Sequence, residues 1–76
     1  MPPIPPPKPC FLDTQIKLKR RGNARWVSPS GERLWEWDWL HGHIEGYNRR
    51  GMHVGVFDAV TGKRIKNAIK GRKIDV

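Results

Sequence analysis

Tryptophan stands at every second position from Trp35 to Trp39, with Glu36 and Asp38 between. Alternate residues of an extended strand share a face, so this spacing predicts a strand with a tryptophan face and an acidic face behind it. The period continues after Leu40, where His41, His43, Glu45 and Tyr47 fall into one row of two imidazoles, a carboxylate and a phenol. A straight strand would hold His41 and Glu45 roughly 13 Å apart at about 3.3 Å per residue, too far for both to act on one group. Gly42 is therefore expected to bend or bulge the chain between them. The stretch from Trp35 to Tyr47 reads as the functional site.

Turn signals divide the rest into short strand-like segments. Arg25 to Val27 leads into Ser28-Pro29-Ser30-Gly31, then Arg33 to Asp38, His43 to Tyr47, the turn Asn48 to Gly51, Met52 to Asp58, Val60-Thr61-Gly62 and Lys63 to Ile69. Spacing this close predicts an antiparallel meander. Eight glycines and the repeated Trp, Val and Ile disfavour helix after Arg25. The fold class is mainly β, α+β at most, with a short helical or irregular segment in the N-terminal quarter. Residues 2 to 9, Pro-Pro-Ile-Pro-Pro-Pro-Lys-Pro, favour polyproline II and cannot enter a sheet interior. Residues 1–13 are expected to form a domain junction, as a spacer or as a ligand for an aromatic groove, and residues 14–76 the functional domain.

A chain of 76 residues is one small domain that buries only about 60% of its unfolded surface. Fifteen Lys and Arg against seven Asp and Glu give a net charge of +8, which points to a polyanionic partner; the plainer reading is a solvated basic surface. Positive charge concentrates in Lys19-Arg20-Arg21-Gly22-Asn23-Ala24-Arg25 and in Lys63, Arg64, Lys66, Lys70, Arg72 and Lys73, the latter interleaved with Ile65 and Ile69. Arg25, Lys63, Arg64, Lys66, Lys70 and Lys73 are candidate phosphate contacts. The lone Cys10 excludes an intramolecular disulfide and a cysteine-based zinc site. No apolar run approaches the about 20 residues of a membrane span, and the proline-rich start does not resemble a secretory signal.

RNA carries its own nucleophile, the 2′-hydroxyl. Cleaving it needs a base for that proton, an acid for the leaving oxygen and a cation for the charge building at phosphorus, with no cofactor and no metal. Glu45 and His41 are the types for base and acid, Arg72 is a suitable cation, and Asp38 suits orienting an imidazole. A zinc site from His41, His43 and a carboxylate is the competing reading, opposed by the lack of a third strong ligand and by the positive surroundings. His53 reads as structural or as an RNA contact. The tryptophans read as core, because so small a domain needs large apolar side chains. Tyr47, on the polar face, is the candidate for stacking on a base.

From Arg25 onward the sequence resembles the C-terminal cytotoxic ribonuclease domain of the E-group colicins and cloacin. The resemblance lies in Arg25-Trp26, Gly31, Trp37-Asp38, His41-Gly42, Glu45-Gly46-Tyr47, Gly55, Phe57-Asp58, Thr61-Gly62, Arg72 and Ile74. It implies a strongly twisted antiparallel sheet with a short N-terminal helical part, and a single cut in 16S ribosomal RNA at the decoding site of the small subunit. It also implies that Asp38, His41, Glu45 and Arg72 are catalytic. In that scheme Glu45 acts as base, Arg72 stabilises the transition state, His41 serves as acid or positions Glu45, and Asp38 supports the set. The resemblance further implies a cognate acidic immunity protein as partner and release from the producing bacterium within a larger toxin that acts in the target cell's cytoplasm. The free domain is expected to be a monomer. Trp39 and Leu40 depart from the family, which has polar residues there, and His43 replaces an acidic residue, making it a possible modulator of pH dependence or a phosphate contact. Two other readings stand beside this one: a non-catalytic RNA-binding β-module, and a tryptophan-lined groove for proline-rich peptides.

Overall fold

The alternation of Trp35 and Trp37 is realised in a strand at the centre of the sheet. The computed structural model describes residues 2–76. Its strands are β1 (Ile16–Lys17), β2 (Arg25–Val27), β3 (Arg33–Asp38), β4 (His43–Asn48), β5 (His53–Phe57) and β6 (Arg64–Asn67). They form one six-stranded antiparallel sheet in which each pairs with the next in sequence. This is the expected meander. Helical structure among the described residues is one 3-10 turn, Phe11–Thr14.

Cross-strand register decides the two faces. Trp35 opposes Gly46, Trp37 opposes Ile44, and Ile44 opposes Phe57 on β5, so these side chains share the apolar face. With Cys10 and Leu12 they make the buried core, and Phe11, Trp26, Val54 and Ala59 pack around it. Burying each such large side chain contributes about 1.5–3 kcal/mol. The Trp35 ring meets Phe57 edge-on at 4.9 Å and Phe11 at 5.5 Å. That packing needs a glycine at 46: a Cβ there would collide with the Phe57 ring and lie 3.0 Å from Trp35 Cζ3.

The segment before β1 covers this face and satisfies its polar atoms. Trp35 Nε1–H donates to Gln15 Oε1 at 3.0 Å, and Trp37 Nε1–H donates to the Ile4 carbonyl at 2.8 Å. Ile4 N–H in turn donates to the Trp39 carbonyl at 2.8 Å, and Phe11 N–H to Ala59 at 2.7 Å. The proline-rich run thus lies against the sheet and reaches the turn after β3.

One member of the expected apolar face leaves it. β3 ends at Asp38, and Trp39 enters a turn that leaves it 49% exposed. Asp38 causes the turn. Its Oδ1 accepts the N–H groups of Leu40 at 2.9 Å and His41 at 3.2 Å, while Gly42 N–H donates to the Asp38 carbonyl at 2.8 Å. Gly42 closes it at φ +71°, a conformation that side-chain-bearing residues rarely adopt. The predicted bend is therefore a hairpin turn.

Candidate active site

Glu36, Glu45, Tyr47 and Val56 occupy the opposite face, because Glu36 pairs with Glu45 and Glu45 with Val56 in register. A bulge adds His53 to them. Gly46 opposes Gly55, yet Tyr47 opposes His53 rather than Val54. The extra residue in β5 turns His53 from the core face to the polar face.

Glu45 is the centre of this group, with its side chain 8% exposed. His53 Nε2 lies 2.9 Å from Glu45 Oε1, and Arg72 Nη1 lies 3.2 Å from the same oxygen. His53 Nδ1 faces the N–H of Ile69 at 2.9 Å and must accept from it. The ring is therefore held with its proton on Nε2, donating to Glu45. Among the described residues Glu45 Oε2 has no hydrogen-bond partner. The two anchors thus both fall on Oε1. Arg72 is brought in by the C-terminal tail, which is tied to β5 and its preceding turn: His53 N–H donates to the Arg72 carbonyl at 2.9 Å and Ile74 N–H to Gly51 at 2.8 Å.

Asp38 and His41 form a second pair. His41 Nδ1–H donates to Asp38 Oδ2 at 2.8 Å, which leaves Nε2 to face outward on a side chain 63% exposed. Burial acts to raise the Asp38 pKa, but hydrogen bonds from the His41 ring and from the N–H groups of His41 and Leu40, with the His41 charge, hold it below the usual carboxylate value. Asp38 is an anion at neutral pH. Asp38, His41, Glu45 and Arg72 open onto one cavity of about 460 Å³, lined also by Trp39, Leu40, Tyr47, Lys66 and Ile69, while His53 stands behind Glu45 outside the lining. A buried carboxylate beside a guanidinium and an exposed imidazole braced by a second carboxylate border one space, residue types that can serve as base, cation and acid.

Residues 10–75 match the family model described as Cytotoxic. The chain belongs to the Cytotoxic family. It is similar to three Escherichia coli proteins: cloacin, 42% identical over 52 residues, colicin E3, 41% over 51, and colicin-E6, 40% over 52. These stretches cover 67, 66 and 67% of this chain. The chain spans only 9% of each relative's length.

In this Cytotoxic domain Asp38, His41, Glu45 and Arg72 line the same cavity. Lys66 lines it as well, whereas Lys63, Arg64, Lys70 and Lys73 are exposed outside the lining. Two expectations need correction. Arg25 is 5% exposed: its Nε and Nη2 donate to Glu36 Oε2 at 3.0 and 2.9 Å, and its Nη1 donates to the Asp75 carbonyl at 2.7 Å. It fastens the C-terminus to β2 and β3, and its burial keeps it from a phosphate outside. Tyr47 is 2% exposed and meets the His53 ring edge-on at 5.3 Å, so it offers no face to a base. Burial pushes its phenol above the ordinary value; Arg72 opposes this, and Glu45 and Glu36 add to it.

His43 is half-buried opposite Asp38 and lies outside the cavity lining. Among the described residues no three His, Cys, Asp or Glu groups gather as a metal site requires. Among them, too, no helix is long and apolar enough to cross a membrane. His53 is the site residue that alternation hides. Counting by twos from Val56 places it on the core face, and only the bulge reverses this. Gly55, a glycine within a strand, is the available signal.

Proposed function

We propose that the chain is the endoribonuclease domain of a bacterial toxin that stops translation by cutting 16S ribosomal RNA once, at the decoding site. The observation that carries this is the buried Glu45 carboxylate, pinned through one oxygen by His53 and Arg72 and opening onto the cavity of the Asp38–His41 pair. Glu45 Oε2 takes the proton of a ribose 2′-hydroxyl, and the 2′-oxygen attacks the adjacent phosphorus. Arg72 lies beside the charge that builds on the phosphoryl oxygens. His41 Nε2 gives a proton to the departing 5′-oxygen, and Asp38 holds the ring through Nδ1. The products are a 2′,3′-cyclic phosphate and a 5′-hydroxyl. This chemistry needs no metal and no cofactor.

The relatives support the toxin context, and the charge of +8 suits both ribosomal RNA and an acidic immunity protein. On this reading the domain is delivered within a larger toxin and acts in the cytoplasm of the target cell. The test is incubation of the chain with bacterial ribosomes, followed by electrophoresis of the extracted RNA, beside a Glu45→Gln control. One discrete fragment from the 3′ end of 16S RNA, absent with the control, is the expected result. Diffuse degradation would remove the decoding-site specificity, and intact RNA with the protein folded and bound would reduce the domain to a binding module.

A further inference from the structure

With Tyr47 buried, the cavity still needs something to hold a base. Phosphate contacts position the strand but carry no information about which base lies beside Glu45. Of the tryptophans, Trp35 and Trp37 are in the core, and Trp26 is half-buried with Lys17 Nζ 5.6 Å from its ring centre. Trp37 also borders the cavity but is only 7% exposed, whereas Trp39 lines the same cavity and is 49% exposed. Leu40, 69% exposed, extends the same rim.

We propose that Trp39 is the platform on which a nucleobase flanking the scissile phosphate stacks, with Leu40 widening the apolar rim. The inference rests on the ribonuclease reading and adds to it the residue that seats the substrate.

Trp39 is also held in place before any ligand arrives. Its carbonyl accepts the Ile4 N–H at 2.8 Å, and the Ile4 carbonyl accepts Trp37 Nε1–H at 2.8 Å. Behind it Pro2, Pro3 and Ile4 close a hollow of about 250 Å³ that Trp39 and Leu40 also line. The indole therefore stands as a ridge between an apolar support and the polar cavity. Lys66 and Arg72 line that cavity. A base on Trp39 with its phosphate toward those cations is the arrangement used for single-stranded RNA, where an aromatic face takes the base and cations follow the backbone. The occupant is thus a nucleotide of the substrate, because this apolar rim is continuous with the reacting groups.

The test uses the full chain and a 2′-O-methyl RNA oligomer, which cannot be cut, so that binding is read apart from chemistry. Trp39→Ala is expected to weaken binding roughly tenfold or more, the usual size of one base–aromatic stack. Trp39→Phe should restore most of it. The slope of log Kd against log salt should stay as in the unaltered chain, since no phosphate contact is lost. A scan of single abasic positions should find one that weakens binding to the unaltered chain and has no effect on Trp39→Ala. Unaltered binding by Trp39→Ala would overturn the proposal, as would a loss that Trp39→Phe does not rescue together with a flat abasic scan. Those results leave ribosome cleavage by the unaltered chain intact. Failure of the unaltered chain to bind RNA or cut ribosomes would instead remove the ribonuclease reading along with the platform.

Discussion

The two halves of the site are built in opposite ways. Asp38 and His41 are three residues apart, bond to each other and to the turn between them, and leave the imidazole 63% exposed. Glu45, His53 and Arg72 come from β4, β5 and the C-terminal tail, and the glutamate and histidine side chains are 8 and 0% exposed. The first half is local and needs little of the fold. The second exists only once three separate segments have come together, so damage to it should reach stability as well as chemistry.

Activity gives the largest expected effects. On the proposed mechanism Glu45→Gln keeps the shape but cannot take a proton, and His41→Ala removes the acid; each should lower cleavage by about 10²–10⁴-fold. The halves should then separate in thermal unfolding. His41→Ala should stay within about 0.5 kcal/mol of the unaltered chain, as surface substitutions do. His53→Ala leaves the Ile69 N–H unpaired and strips Glu45 of its buried hydrogen-bond donor, with only the half-exposed Arg72 remaining beside it, for a loss of about 1–3 kcal/mol. Equal destabilisation by both would break the comparison.

Gly46→Ala probes the other face of β4. Forcing a methyl between the Trp35 and Phe57 rings should cost about 1–3 kcal/mol, and an unchanged unfolding midpoint would show that the rings yield.

The smallest effect is a pH dependence. Asp38 has a folded pKa below its unfolded value of about 3.9. Its contribution to stability is therefore present above that value and lost as pH falls through the folded one. The stability gap between the unaltered chain and Asp38→Asn should close below about pH 4. A gap that does not change with pH would remove the ionised Asp38.

The same contrast explains what could be read in advance. Asp38, His41 and the bend at Gly42 are legible because turn chemistry and strand period act over a few residues. The strands follow from alternation and turn spacing for the same reason. His53 reads as structural or as an RNA contact, but its place beside Glu45 is not legible, since one bulge reverses its face. The burial of Arg25 and Tyr47 is not legible, because it depends on partners distant in sequence or placed by the bulge: Asp75 for Arg25, and the His53 ring for Tyr47. Trp39 departed from the core because the side chain of Asp38 ended the strand before it.

The chemical nature of the cut ends tests the central claim most directly. Ribosomal RNA fragments made by the domain would be analysed by mass spectrometry at the new 3′ and 5′ termini. A site in which Glu45 activates the 2′-hydroxyl leaves a 2′,3′-cyclic phosphate, or its opened monophosphate, and a 5′-hydroxyl. A 3′-hydroxyl facing a 5′-phosphate would mean that water attacked instead, and the roles given to Glu45 and His41 would be wrong.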